Sequence, residues 1–203
     1  PKFDTKEFDR IKQDAVNSIR ATESSPDASI NKMAMRNAFN GKNYAKDPQG
    51  TVETVPKLTA AETKAYYKSI LNKSRMVIVI VAELEKPQIE KMVTALLVKI
   101  PQGKPFAPKK ETYTPAANTF KPEKRDNATN YILGITGAPL PGTPDFNAYI
   151  LAMNIFSTRH FVEVRSKNGL SYAPGAWFSG GLTPYSNISV TTTEPDKYIE
   201  VTR

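Results

Sequence analysis

The amino-acid sequence predicts an α+β fold of two layers, with helices laid on a mostly antiparallel sheet. Three features of the 203 residues carry that expectation. Amphipathic stretches with helical spacing recur along the chain, most of them opened by a capping signal or a proline and closed by Asn-Gly or proline. Short apolar runs of strand length lie between them. Near the end, two strand-like runs flank Gly180-Gly181, the pattern of an antiparallel hairpin. A hydrophobic content of 39% and a charged content of 24% are ordinary for globular chains, and this length suffices to bury a core.

The elements follow in order. Asp4-x-x-Glu7 reads as a capping box, with Phe8, Ile11, Ala15 and Ile19 at helical spacing behind it. A second helix opens near Ser25-Pro26, places Ile30, Met33, Ala34 and Ala38 on one face and stops at Asn40-Gly41. Residues 42–57 carry Asp47-Pro-Gln-Gly50 and read as a loop with at most a short strand. Thr59-Ala-Ala-Glu62 is a further capping box, opening a helix to about Asn72 with Tyr66 and Ile70 inward. Arg75 to Ala82 is almost continuously apolar and largely β-branched, as expected of a strand buried on both faces. Pro87 suits a first helical position, and Ile89, Met92, Val93, Leu96, Leu97 and Ile100 form a stripe closed by Pro101.

Residues 101–123 are rich in Pro, Lys and Thr without a sustained period, the composition of a linker. Asn130 to Thr136 reads as a strand. Asp145 to Lys167 reads as a long helix with Phe146, Tyr149, Ile150, Met153 and Phe161 facing the core. Leu170 to Phe178 and Asn187 to Thr193 form the hairpin, in which Ile188, Val190 and Thr192 alternate with polar neighbours. Glu194 to Arg203 resembles the first turns of a helix. Starting at Pro1 and ending there, the chain reads as a piece of a longer protein.

The most informative stretch for function is Phe156 to Ala173. Asn168-Gly169 stops the long helix because both residues tolerate the left-handed conformation. Arg165 then sits on a helix end, where a cation suits the partial negative charge of the last carbonyls, and Tyr172 sits on the strand beginning at Leu170. A planar five-donor cation beside a phenol can cradle a peptide carbonyl or a developing oxyanion. Spacing alone favours the plainer role, Arg165 as a helix cap and Tyr172 as the filler of a half-buried strand site.

Arg165-x-x-x-Gly169-Leu-Ser-Tyr172, following a long apolar helix, resembles the Arg/Tyr substrate-binding motif of the pitrilysin/insulinase family of inverzincin metallopeptidases. The resemblance implies substrate binding by Arg165 and Tyr172 in a noncatalytic region, with zinc held by a companion catalytic domain or subunit. It extends over nearly the whole chain as two half-domains: residues 1–104 as the second half of one domain, 105–121 as a linker and 122–203 as the first half of the next. Where the family has a glycine-rich kink before this helix end, the chain has Phe156-Ser-Thr-Arg159. The family's H-x-x-E-H zinc motif is absent, and aligning its third-ligand region on Asp14-Ala-Val-Asn17 puts Ile19 at the ligand position.

Other chemistry finds little support. There is no cysteine and a single histidine, so thiol catalysis and a two-histidine metal site are excluded for this chain alone. His160 reads as a surface or satisfied helix residue, Glu83 and Glu85 as solvated carboxylates, Trp177 as a packing residue, and Ser157 and Ser171 have no evident base. Gly180-Gly181 lacks the strand-loop-helix context of a phosphate loop. The net charge of +8 is interleaved with acidic residues and contains no basic block, which points to a solvated surface and away from nucleic acid. No apolar run reaches the roughly 18 residues of a membrane helix. The expected function is the substrate-binding, noncatalytic portion of a zinc metallopeptidase, with no catalytic residue and no metal of its own. The alternative is a structural or assembly module of a relative that has lost proteolysis, and half-domains with uncovered apolar surface favour pairing with another copy.

Overall fold

The capping signals mark real helix starts. In the computed structural model, which describes residues 2–107 and 120–203, the Asp4 carboxylate accepts the Glu7 amide at 3.0 Å and opens α1 (Thr5–Ser24). Ser25 caps α2 (Pro26–Ala38), with Gly41 in the left-handed conformation just beyond its end. Thr59 and Glu62 exchange both bonds of a capping box and open α3 (Ala60–Ile70). Glu85 and Gln88 do the same for α4 (Lys86–Leu97), which has proline in its first turn. Strand β1 (Asn130–Gly137), helix α5 (Asp145–Phe161), strands β2 (Gly175–Ser179) and β3 (Tyr185–Thr192) and helix α6 (Pro195–Thr202) complete the order. Residues 42–57 hold two short 3₁₀ turns, Asn43–Ala45 and Val55–Lys57.

Contacts divide the chain into two units, Pro1–Val16 with Val52–Lys109 and Asn17–Thr51 with Lys110–Arg203, the boundary falling within α1. Of the stretch 105–121 read as a linker, residues 108–119 lie outside the described residues.

The second unit is built on an antiparallel sheet in the order β1-β3-β2. Its register runs from Asn130 opposite Thr192 to Gly137 opposite Tyr185, and from Gly175 opposite Ser189 to Ser179 opposite Tyr185. Helix α2 packs on β1 and α5 on β2, which realises the expected layering of helices on an antiparallel sheet. Phe146 and Tyr149 on α5 meet the Phe178 ring edge-on at 5.8 and 6.3 Å, and the Tyr149 hydroxyl donates to Ser186 Oγ at 2.9 Å. Phe39, just past α2, is buried between Tyr44 and Tyr185, each 5.3 Å away between ring centroids. Val164, Leu170, Val190 and Tyr198 form a separate buried cluster, to which Ile132 and Val201 add.

Four expectations need correction. The run Met76 to Ala82 has no regular secondary structure and joins no sheet among the described residues: Val77, Val79 and Val81 are 91%, 81% and 96% exposed, and Ile78 and Ile80 46% and 45%. A β-branched run becomes a buried strand only where another strand lies alongside, and none does among the described residues. For the same reason α3 buries neither Tyr66 nor Ile70, and Met92 and Leu96 of α4 remain exposed. Residues 170–174 are irregular, so Tyr172 precedes the strand, which begins only at Gly175. The long helix changes character at Val162, where a π-helical turn runs to Lys167; just before it Phe161 is exposed and not in the core, while His160 is buried against Tyr198, a satisfied helix histidine.

His160 Nε2 lies 3.0 Å from the Tyr198 hydroxyl of α6, the Phe156 ring stacks on the imidazole with 9° between planes, and Nδ1 is buried without a partner. Burial holds the imidazole below the ordinary histidine range and pushes the Tyr198 phenol up to about 12.

Two measurements follow from this packing. Phe39→Ala removes a wholly enclosed ring and is expected to lower unfolding stability by about 3–5 kcal/mol in urea titrations; a loss under about 1 kcal/mol would show that the site collapses or is not closed. His160 folds in its neutral form, so its contribution is complete above the unfolded pKa of about 6.5 and is lost as pH falls through the lower folded value. Calorimetric Tm should therefore fall with acidification below about pH 6.5, and His160→Gln should flatten that slope; an equal acid slope in both proteins contradicts the assignment.

Candidate functional site

The site is made where α5 ends. Val164 is fully enclosed, and its carbonyl accepts the Leu170 amide at 2.9 Å, while the Arg165 carbonyl accepts Gly169 N–H at 3.1 Å. Asn168 Nδ2 donates to the Glu163 carbonyl at 2.9 Å. Gly169 takes φ +62°, which a side chain would strain, and the chain reverses into the irregular segment that carries Tyr172. The stop read from Asn168-Gly169 is thus made by both residues. The π turn, with hydrogen bonds wider than an α-helix's, re-aims the residues that follow it, a device frequent at functional positions.

Arg165 and Tyr172 are brought together. The Arg165 guanidinium carbon is 4.2 Å from the Tyr172 ring centroid and 5.1 Å from that of Phe161, within cation–π range of both. Tyr172 is 81% exposed and Arg165 half-buried. The neighbouring carboxylate, Glu163, is engaged by Lys167 Nζ at 2.7 Å. Among the described residues no carboxylate pairs with Arg165, so the site carries an uncompensated cation. A guanidinium resting on aromatic rings still presents its N–H edge, with donors in fixed directions suited to a carbonyl or carboxylate.

Helical spacing predicts Phe161 in the core, yet it contributes to this site. Its signal was legible: Phe161 and Arg165 are four residues apart, as are Glu163 and Lys167, and such pairs meet on a helix. Other candidates lie elsewhere. Ser171 is buried and Ser157 half-buried, and the histidine that would have to activate either faces Tyr198 instead. Trp177 is partly exposed on the edge strand β2, Ile19 is buried, and Glu83 and Glu85 are exposed in the first unit.

The donor set does not fit zinc. The sequence contains no cysteine, and its one histidine is buried with Nε2 against a phenol. Among the described residues no three His, Asp or Glu side chains converge. Nor, among the described residues, is any helix long and apolar enough to cross a membrane.

A family model described as the peptidase M16 inactive domain matches residues 57–203. An uncharacterized zinc protease of Streptomyces coelicolor is 24% identical over an alignment of 177 residues, the match covering 80% of this chain and 38% of the relative. The crystal structure of a peptidase M16 inactive domain from Pseudomonas fluorescens overlays all of this chain on 51% of its own, with a TM-score of 0.87 at 21% identity. A chain of the Candida albicans complex III₂ structure overlays 94% of this chain on 49% of its own, with a TM-score of 0.76 at 15% identity. The chain thus spans about half the length of these solved chains and less of the Streptomyces protease. The structural likenesses, at these identities, speak to the fold. The family match, over most of the sequence, agrees with the resemblance carried by the Arg/Tyr motif: this chain belongs to the peptidase M16 inactive-domain family of the zinc proteases.

Proposed function

We propose that this chain is the substrate-gripping half of a zinc metallopeptidase, in which Arg165 and Tyr172 hold an extended peptide while a companion catalytic domain supplies the zinc and cleaves it. The single observation that carries the reading is the uncompensated Arg165 guanidinium stacked on the exposed Tyr172 ring at the helix end. Arg165 N–H groups donate to a substrate carbonyl oxygen, and charge building on that oxygen strengthens the bond. The Tyr172 hydroxyl adds a further donor, and its ring fixes the guanidinium plane. Zinc, bound in the companion domain, would polarise the scissile carbonyl and activate water; no residue of this chain takes part in that step. The division into half-domains, 1–104 and 122–203, belongs to this reading, since each half then finishes a domain with residues outside this chain.

A second reading has one observation in its favour. The fold is shared with a chain of the Candida complex III₂ structure, so an assembly module built on the same scaffold is the alternative. It requires a companion without an intact H-x-x-E-H.

The test uses the protease carrying its companion domain. Arg165→Ala removes a charged hydrogen bond worth about 1.5–3 kcal/mol, and kcat/KM for a peptide substrate should fall on the order of 10–100-fold. Tyr172→Phe keeps the stacked ring and loses only the hydroxyl, and should show a smaller drop. Tm and circular dichroism should stay at wild-type values in both. Unchanged kinetics in both variants would remove the pair from substrate binding.

A further inference from the structure

The first unit holds a group of cations that the proposed function leaves unused. Just past the end of α3, the chain around Asn72 to Arg75 is clamped to the chain around Pro101 to Lys104. The Lys73 amide donates to the Pro101 carbonyl and the Ser74 amide to the Gln102 carbonyl, each at 2.9 Å. The Ser74 hydroxyl lies within hydrogen-bonding distance of both Asn72 Oδ1 and the Lys104 carbonyl. Asn72 is buried and donates through Nδ2 to the Ser69 carbonyl at 3.2 Å. Gly103 takes φ +72°, and a Cβ there would stand 2.5 Å from the Asn72 side chain, so only glycine lets the two segments approach this closely. Against this clamp lies a concavity of about 340 Å³ whose walls include Lys68 from α3, Arg75 and Lys104. The Arg75 guanidinium carbon stands 3.7 Å from the Phe106 ring centroid, a stack that fixes the plane of the cation and leaves its N–H edge available. Three like charges gathered around one small space repel each other, and an anion of more than one charge offsets that repulsion.

We infer that this concavity binds a phosphate dianion, as inorganic phosphate or as a small phosphate monoester. Charge, geometry and size select that ligand. A single carboxylate brings one charge and two oxygens, whereas a phosphate brings nearly two charges and three strong acceptor oxygens. Arg75 engages two of those oxygens through its planar edge, and the ammonium groups of Lys68 and Lys104 act on the remainder as point charges. A space of this volume takes a phosphate with a few attached atoms and excludes a folded partner. Phe106 and Pro105 supply an apolar wall for the organic part of a monoester. The Arg75–Phe106 stack and the clamped backbone order this wall before a ligand arrives, which lowers the entropic cost of binding. The site is independent of the peptide-gripping role of Arg165.

Titration calorimetry at low ionic strength, on the protease carrying its companion domain, tests this with inorganic phosphate and with phenyl phosphate. Saturable binding is expected, and Lys68→Gln, Arg75→Gln and Lys104→Gln should each raise Kd on the order of tenfold. Lys68 and Lys104 are exposed, so their variants should keep the wild-type circular dichroism and Tm. Lys91→Gln makes the same charge change on α4 outside the concavity and should leave Kd within about twofold. Phenyl phosphate should bind more weakly as pH falls below about 6, where its second proton returns and a charge is lost. Tighter binding of phenyl phosphate than of inorganic phosphate supports a monoester, and equal affinity supports the phosphate group alone. Absence of saturable binding overturns the inference, as does an equal loss of affinity in Lys91→Gln, which marks general attraction to a basic chain. Binding that survives Arg75→Gln but is lost in Arg165→Ala places the anion on the other guanidinium and overturns it too, while failure of the peptide-gripping role alone leaves phosphate binding in place. A hexaglutamate peptide that binds through the same three cations about tenfold more tightly than either phosphate makes the occupant a carboxylate chain. Phosphate binding that tightens about tenfold in Glu111→Gln makes the occupant a carboxylate of this chain, and either result overturns the assignment.

Discussion

The end of the long helix is held by Val164, which is completely enclosed by Leu170, Val190 and Tyr198. This seat fixes one side of the π turn to the sheet through β3 and to α6 through Tyr198. With that side anchored, the adjacent Arg165 is held where it meets Tyr172 and Phe161. Gly169 then allows the chain to turn back within hydrogen-bonding distance of the helix end it has just left. An exposed guanidinium has many rotamers, and ordering it costs conformational entropy. Two rings and a fixed backbone reduce that cost before any ligand arrives, which is the physical content of a preorganised site.

Charge acts in the same direction. The salt bridge from Lys167 engages Glu163, two residues before Arg165. As a surface ion pair it adds little stability. Its consequence is selective: one cation in the turn is satisfied internally and the other is not. The buried His160, by contrast, belongs to the scaffold. It ties α5 to α6 through Tyr198, and its depressed basicity reflects burial, not a partner carboxylate or a metal.

The two units differ in how far they are finished. In the second, three strands pair, and both α2 and α5 find a strand to pack on. In the first, α4 and the run Met76 to Ala82 meet along one face and leave the rest open.

Much was settled by sequence. Helix starts at Asp4, Ser25 and Thr59 follow from side chains that bond amides one turn away, and Pro87 in the first turn marks the start of α4; neither signal needs a distant partner. The stop at Asn168-Gly169 is equally local, and so is the motif that pointed to the family. Tertiary structure decided what depends on distant neighbours. The β-branched run at 76–82 has strand composition, but pairing requires a second chain segment that local residues do not specify. Phe161 leaves the expected core face and lies against Arg165, a placement that depends on where the turn after it carries that guanidinium. Tyr172 reaches Arg165 from an irregular loop and not from a strand, since the fixed end of the helix, held through Val164, determines where the returning chain can pass.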